Sequence, residues 1–224
     1  MEMPRTRLAV FDMAGTTVDD LVDGVPLVLK SYGDAFEAHG VYVPMEVLNE
    51  QRGRDKWTVI SELGGDKSPE IYEDFLGVLN ANTGRVKEVE GASETFRFLK
   101  ERGVVVYAST GFPEEVAEAI VEHLGWLRDG LIDGWVCSEQ VGASRPDPAM
   151  ILHVMRMHGV TDPGEVLKVD DTAKGIEEGL NAGVHTVGVL TGTQSIQRLD
   201  SAGPHSILRS VAELPGYLSR KGLV

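Results

Sequence analysis

The chain opens on an apolar run, Arg7-Leu8-Ala9-Val10-Phe11, and turns polar at once with Asp12-Met13-Ala14-Gly15-Thr16-Thr17. A continuous apolar run of that length, bounded by a Gly-containing turn, predicts a buried first strand. The period then changes. Residues 25–39 place Val28, Leu29, Tyr32, Ala35 and Phe36 at helical spacing, and Gly40 stops the helix. Pro44 opens a second short helix ending near Gly53, and residues 55–63 predict a third, closed by Gly64-Gly65. Ser68-Pro69-Glu70 starts a fourth, with a capping hydroxyl and Pro in the first turn, running to about Gly84. Residues from about 20 to 88 therefore read as all-helical.

From there strands and helices alternate. Ser93 is expected to cap a helix ended by Gly103, and Val104-Val105-Val106-Tyr107-Ala108 is a continuous apolar strand. A helix over 113–124 precedes a strand near 132–137, and a helix over 148–158 precedes a strand at 166–169. A helix at 176–182, a strand at 186–190 and one more alternation complete the chain. This order predicts an α/β fold with a mainly parallel, Rossmann-like sheet wrapped by helices. The helical block is inserted after the first strand, so the expected division is a core of 1–19 and 89–224 with a cap of 20–88. A cap over the carboxyl edge of such a sheet is well placed to close an active site.

Composition narrows the partners. The 224 residues are 42% hydrophobic and 25% charged, enough for one large domain or a core with an inserted module. A net charge of −14 argues against nucleic acid and anionic membrane as partners, so an anionic substrate needs a local cation cluster or a metal. The one cysteine, Cys137, sits in an apolar strand, reads as buried filler and excludes an intramolecular disulfide. No apolar run reaches membrane-spanning length, and residues 1–7 lack a signal-peptide core. A soluble, cytoplasmic protein is the expectation. His123, His153 and His158 are too scattered for a metal site, and Trp57, Tyr72 and Phe75 read as cap core or dimer surface.

Four loops carry candidate chemistry, each at the end of a predicted strand. They are Asp12 with its Gly-Thr-Thr turn, Ser109-Thr110-Gly111 before a helix start, Ser144-Arg145-Pro146-Asp147-Pro148, and Asp170-Asp171-Thr172. Singly each is a common turn or cap; Asp12 alone reads equally as an Asp-led turn. Together, a nucleophilic acid, a hydroxyl, a fixed cation and an acid pair suit Mg²⁺-assisted phosphoryl transfer, because Mg²⁺ prefers carboxylate and carbonyl oxygens.

On these motifs, with Gly175-Ile176 after the last, the chain resembles the haloacid dehalogenase-like hydrolase superfamily over its whole length. The resemblance implies that Asp12 becomes an aspartyl-phosphate, and that Mg²⁺ is held by Asp12, the Ala14 carbonyl and Asp171, with Asp170 beside it. Thr110 and Arg145 would bind phosphoryl oxygens, and Thr16, Gly53, Arg54 and Gly111 would line the substrate site. Phosphatases of this superfamily carry a general acid where Ala14 stands, and a methyl group cannot move a proton. The loss of that acid is worth roughly 10²–10⁴-fold in phosphomonoester hydrolysis.

The Asp-Met-Ala-Gly-Thr-Thr string looks like the phosphonatase branch, phosphonoacetaldehyde hydrolase-like proteins that cleave a C–P bond through a lysine Schiff base. That lysine lies in the cap, three residues after a glycine, and Gly53-Arg54-Asp55-Lys56 has the spacing, with Arg52 and Arg54 as nearby cations. Lys56 is thus the candidate, against the common reading of a cap lysine as a solvated charge. The chain departs from the branch in having Met13 for a Trp, Val59 for a His, Phe112 for a Tyr and Gly175 for a second acid. Its 191–204 segment is also shorter. The alternatives are a phosphomonoester phosphatase of the same superfamily and a non-catalytic phosphate-binding protein. The implied partners are a small anionic organophosphorus substrate and, as in capped relatives, a second copy in a homodimer.

Overall fold

A computed structural model describes residues 4–224; residues 1–3, part of the stretch read above for a leader, lie outside it. The sheet has six parallel strands, in the spatial order 206–208, 185–189, 166–170, 8–12, 105–110 and 134–137. They are β1 (Leu8–Asp12), β6 (Val105–Thr110), β7 (Gly134–Cys137), β8 (Val166–Asp170), β9 (His185–Val189) and β10 (Ser206–Leu208). Both faces are covered, which is why β1, β8 and β9 are buried at every position and are mostly apolar, β1 without a break before Asp12. The chain steps outward from β1 through β6 to β7, then crosses back to β8 on the other side of β1. Strand order reverses at β1, and in open α/β sheets ligands bind at that switch point.

Between β1 and β6 lie α1 (Leu27–Ala38), α2 (Met45–Glu50), α3 (Lys56–Gly64) and α4 (Ser68–Asn82). Asp55 caps α3 by accepting from Thr58 N at 2.8 Å, and Pro69 opens α4. Tyr32 of α1 stacks on Phe75 of α4 at 4.7 Å, and both rings are fully buried. The helical reading of 20–88 needs one amendment. Two-residue strands frame the block: β3 (Leu21–Val22) pairs with β4 (Val25–Pro26), while β2 (Val18–Asp19) pairs antiparallel with β5 (Lys87–Glu88). Strands this short carry no periodicity. The β2–β5 pair joins the way into the helices to the way out.

The remaining helices are α5 (Ala92–Lys100), α6 (Glu114–Leu124), α7 (Ser138–Val141), α8 (Ala149–Met157), α9 (Ala173–Asn181), α10 (Ile196–Ser201) and α11 (Leu214–Lys221). Phe96 of α5 sits edge-on between Phe11 and Trp126, tying this layer to the central strand. Ser93 does not cap α5. The cap position is Gly91 at φ +87°, and the Ser93 hydroxyl donates instead to Glu88. A side chain at 91 would also meet Ala212. Among the described residues, no helix is long and apolar enough to cross a membrane.

At the opposite edge of the sheet, His185 Nε2 faces the Tyr217 hydroxyl at 2.9 Å while its buried Nδ1 has no partner among the described residues. Burial, with His205 and Lys221 nearby, pushes its pKa down to about 4. Since the folded value lies below the unfolded one near 6.5, unfolded chains bind more protons across that window. Stability from this group is therefore present above about pH 6.5 and lost as pH falls towards about 4, by roughly 2 kcal/mol once solvent screening of the partly exposed ring is allowed for. Denaturant titrations at pH 7 and pH 4.5 should show His185→Gln losing less stability on acidification than the native chain, by about 2 kcal/mol.

Candidate active site

The carboxyl ends of β1, β6 and β8 deliver Asp12, Ser109-Thr110 and Asp170-Asp171 to one point, because these strands are neighbours in register. Arg145 reaches the same point from the loop before α8. It is 2% exposed and donates to the Asp12 carboxylate, to Ser109 Oγ at 2.9 Å and to Glu178 Oε2 at 3.0 Å. Lys168, in the middle of β8, donates to Ser109 Oγ at 2.9 Å and forms ion pairs with Asp170 at 3.1 Å and Glu178 at 3.0 Å. Burying this many charges is tolerable only because each cation meets carboxylates at hydrogen-bonding distance.

Among the described residues, Asp12, Asp170 and Asp171 form one group that could hold a metal, with ligand atoms within 4.8 Å of one another. Asp171 takes a hydrogen bond from Thr16 Oγ1 at 2.9 Å, yet its other oxygen is buried without a partner. An unsatisfied buried carboxylate oxygen beside two more carboxylates fits a hard divalent cation with oxygen ligands. Burial pushes Asp12 and Asp171 up, reinforced for Asp12 by Asp170 and opposed by Arg145. Burial would raise Asp170 too, but Lys168 and Arg145 hold it below the usual range.

The acid pair explains Gly175. A Cβ at 175 would lie 1.8 Å from the Asp170 carboxylate, so an acid at 170 and a side chain at 175 exclude each other. Gly175→Asp alone should lower stability by about 3 kcal/mol, or roughly 5–10 °C in Tm. The double change Asp170→Gly with Gly175→Asp should recover most of that loss in a thermal melt.

The helical insertion closes over these residues. Lys56, at the start of α3, is 4% exposed rather than solvated. Its Nζ donates to the Arg54 carbonyl at 2.9 Å and lies 5.8 Å from the centre of the Phe112 ring. Burial, with Arg145 adding to it against Asp12, pushes Lys56 down to about 8. Gly53, at φ +85°, brings the loop onto Thr172, and a Cβ at Gly111 would be 2.8 Å from the Arg54 carbonyl. These two glycines let the helical insertion and the loops of the sheet touch. Asp12, Ala14, Lys56, Thr110, Gly111, Phe112, Arg145 and Gly53 line one cavity of about 20 Å³.

Other expected residues sit differently. The Arg54 guanidinium points away from the cavity, held by Gln51 at 2.6 Å and Glu62 at 2.7 and 2.9 Å, so Arg54 offers the site its carbonyl. Thr16 braces Asp171, and Thr110 Oγ1 accepts from Phe112 N at 3.0 Å. Val59 is buried in the cap, and Trp57 packs edge-on against Tyr72 outside the cavity. Lys168 and Glu178 belong to the site without having been expected there, and Arg52, noted in the sequence only as a cation near Lys56, lines its cavity. Lys168 had a signal, a lysine inside an apolar strand. Glu178, next to Glu177, reads as a solvated helix face.

The description haloacid dehalogenase-like hydrolase matches residues 6–183, most of the chain and all four loops. The chain belongs to the haloacid dehalogenase-like hydrolase family. Within it, the chain is 31% identical to phosphonoacetaldehyde hydrolase of Bordetella pertussis, covering 96% of this chain and 92% of that protein. It is 29% identical to phosphonoacetaldehyde hydrolase of Bacillus cereus, over 84% and 76% of the two chains. The fold is shared with a phosphonoacetaldehyde hydrolase-like protein from Oleispira antarctica, at TM-score 0.84 and 24% identity over 99% and 94% of the chains. A hydrolase from Pseudomonas syringae matches at TM-score 0.83 and 19% identity over 96% and 99%. The phosphonatase-like resemblance and the Rossmann-like core expected from the sequence are borne out, and the chain is a hydrolase.

Proposed function

We propose that this hydrolase cleaves the C–P bond of a small carbonyl phosphonate such as phosphonoacetaldehyde. The observation that carries this reading is the Lys56 amine, buried in the same cavity as Asp12 with its pKa pushed down to about 8. A desolvated amine near neutral pKa forms a Schiff base readily, while Ala14 offers no acid for an alkoxide leaving group. Lys56 condenses with the aldehyde and releases water. The Asp12 carboxylate then attacks phosphorus, and the C–P electron pair moves onto the iminium to give an enamine. Protonation and hydrolysis of the enamine release acetaldehyde and regenerate Lys56, while a second water frees phosphate from Asp12.

Asp12, the Ala14 carbonyl, Asp171 and Asp170 would hold Mg²⁺, which would neutralise the charge on the phosphoryl oxygens. Arg145 and Thr110 stand beside Asp12 to bind those oxygens. The helices of 20–88 act as the cap, and homodimer formation and a cytoplasmic setting belong to the same reading. Phosphate release from phosphonoacetaldehyde with Mg²⁺ tests it. Turnover at least tenfold faster on a panel of sugar or glycolate phosphates than on the phosphonate would replace it with a phosphatase.

A further inference from the structure

Arg52 lies on the loop between α2 and α3, yet its side chain is 3% exposed because it runs from the cap into the core. One guanidinium nitrogen donates to Thr193 Oγ1 at 2.9 Å, and the other to the Ala14 carbonyl at 3.1 Å. Asp20, on the path from β1 into the cap, lies 3.6 Å from it, with its second oxygen buried and unpartnered. Desolvation opposes the Arg52 charge, and Asp20, Asp171, Asp12 and Asp170 offset that. The arginine thus answers to the same carboxylates that form the candidate metal group, and it occupies a lone pair of the Ala14 carbonyl.

Its position is also that of a partition. Arg52 lines the inner cavity of about 20 Å³, which has room for about one water. It equally lines an outer cavity of about 470 Å³ that carries Asp19, Asp20, Glu88 and Glu90. No phosphonate fits the inner space as it stands, and the Arg52 contacts with Ala14 and Thr193 are among those that join the 51–55 loop to the core there. Outside lies an acidic approach suited to a cation.

We propose that Arg52 is a charge-operated latch: docked on the Ala14 carbonyl it holds the cap shut, and it opposes a divalent cation in the acidic group until an anionic substrate is bound. The proposal rests on reading Asp12, Asp170 and Asp171 as a Mg²⁺ site. A docked guanidinium and Mg²⁺ beside the same carboxylates repel one another at low effective dielectric. A phosphonate dianion brings negative charge between them and removes the penalty. Arg52 is on this reading a positioning residue, acting through the nucleophile loop and the cap.

Calorimetric titration with Mg²⁺ tests this, because the two partners give opposite signs. Arg52→Gln should bind Mg²⁺ roughly three- to tenfold more tightly than the native chain. Asp20→Asn, which leaves the Arg52 charge less balanced, should bind it at least twofold more weakly, on the same reasoning. Damage to the fold would weaken both. Inorganic phosphate should then tighten Mg²⁺ binding more in the native chain than in Arg52→Gln. Amide exchange over residues 51–55 should speed up in the native chain with Mg²⁺ alone and slow again with Mg²⁺ and phosphate. Absence of Mg²⁺ binding to the native chain would overturn the metal reading and the latch together. Mg²⁺ binding that Arg52→Gln leaves unchanged or weakens would overturn the latch alone.

Discussion

Asp12→Asn is expected to remove turnover, by on the order of 10⁴–10⁶-fold, the scale on which nucleophile replacements act. The amide keeps the shape of the carboxylate but cannot form an acyl phosphate. Arg145 would remain paired with Glu178 at 3.0 Å and close to Asp170 at 3.6 Å, so the variant should fold. The substitution also removes one of three crowded carboxylates, which lowers Mg²⁺ affinity. Both effects can be read separately. Acid-quenched native enzyme should carry one added phosphoryl group on the peptide containing Asp12, and the variant none at any Mg²⁺ concentration. A variant with residual turnover above about 1% would remove Asp12 from the nucleophile role, since no nucleophile replacement leaves that much.

The order of elements was legible because parallel strands buried on both faces announce themselves as unbroken apolar runs. Leu8–Asp12 is of this kind, Val166–Asp170 is apolar but for Lys168, and each ends in an acid at the edge where ligands bind. The four helices of the insertion were equally plain, from their spacing and their Pro and Gly boundaries. What escaped is short or depends on distant partners. The two-residue strands at 18–19, 21–22, 25–26 and 87–88 have no period to detect. Ser93 looked like a cap, but Glu88 captures its hydroxyl and Gly91 makes the turn.

The site was legible where a residue stands at a strand end and obscure where it reaches in from elsewhere. Asp12, Thr110, Arg145, Asp170 and Asp171 converge as expected. Arg52 and Arg54 are both cations flanking Gly53 in the sequence, and of the two Arg54 was expected at the substrate site. Only the turn of that loop at φ +85° sends Arg52 into the core and leaves Arg54 outside with Glu62. Gly175 looked like a lost acid, although the Asp170 carboxylate occupies the space it vacates. Such exchanges are properties of three-dimensional distance, and no spacing along the chain reports them.

Lys56→Met should yield a protein that is more stable and inactive on a carbonyl phosphonate. In the fold the amine titrates at about 8, against 10.5 for an unperturbed lysine, because burial and Arg145 disfavour its charge. Between those values the unfolded chain binds more protons than the folded one, so this group's contribution to stability rises as pH climbs from about 8 to about 10.5. At pH 7 the native chain bears the cost of a buried ammonium, and a methionine of similar shape should gain about 2 kcal/mol in a denaturant titration. Turnover of phosphonoacetaldehyde should fall by about 10³-fold or more, with loss of the covalent route. Borohydride trapping of the aldehyde should label Lys56 in the native chain, at a rate that rises with pH and levels off near 8. Levelling near 10.5 instead, or turnover persisting with Lys56 unlabelled, would take the amine out of the reaction and leave Asp12 to act on an ordinary phosphate ester.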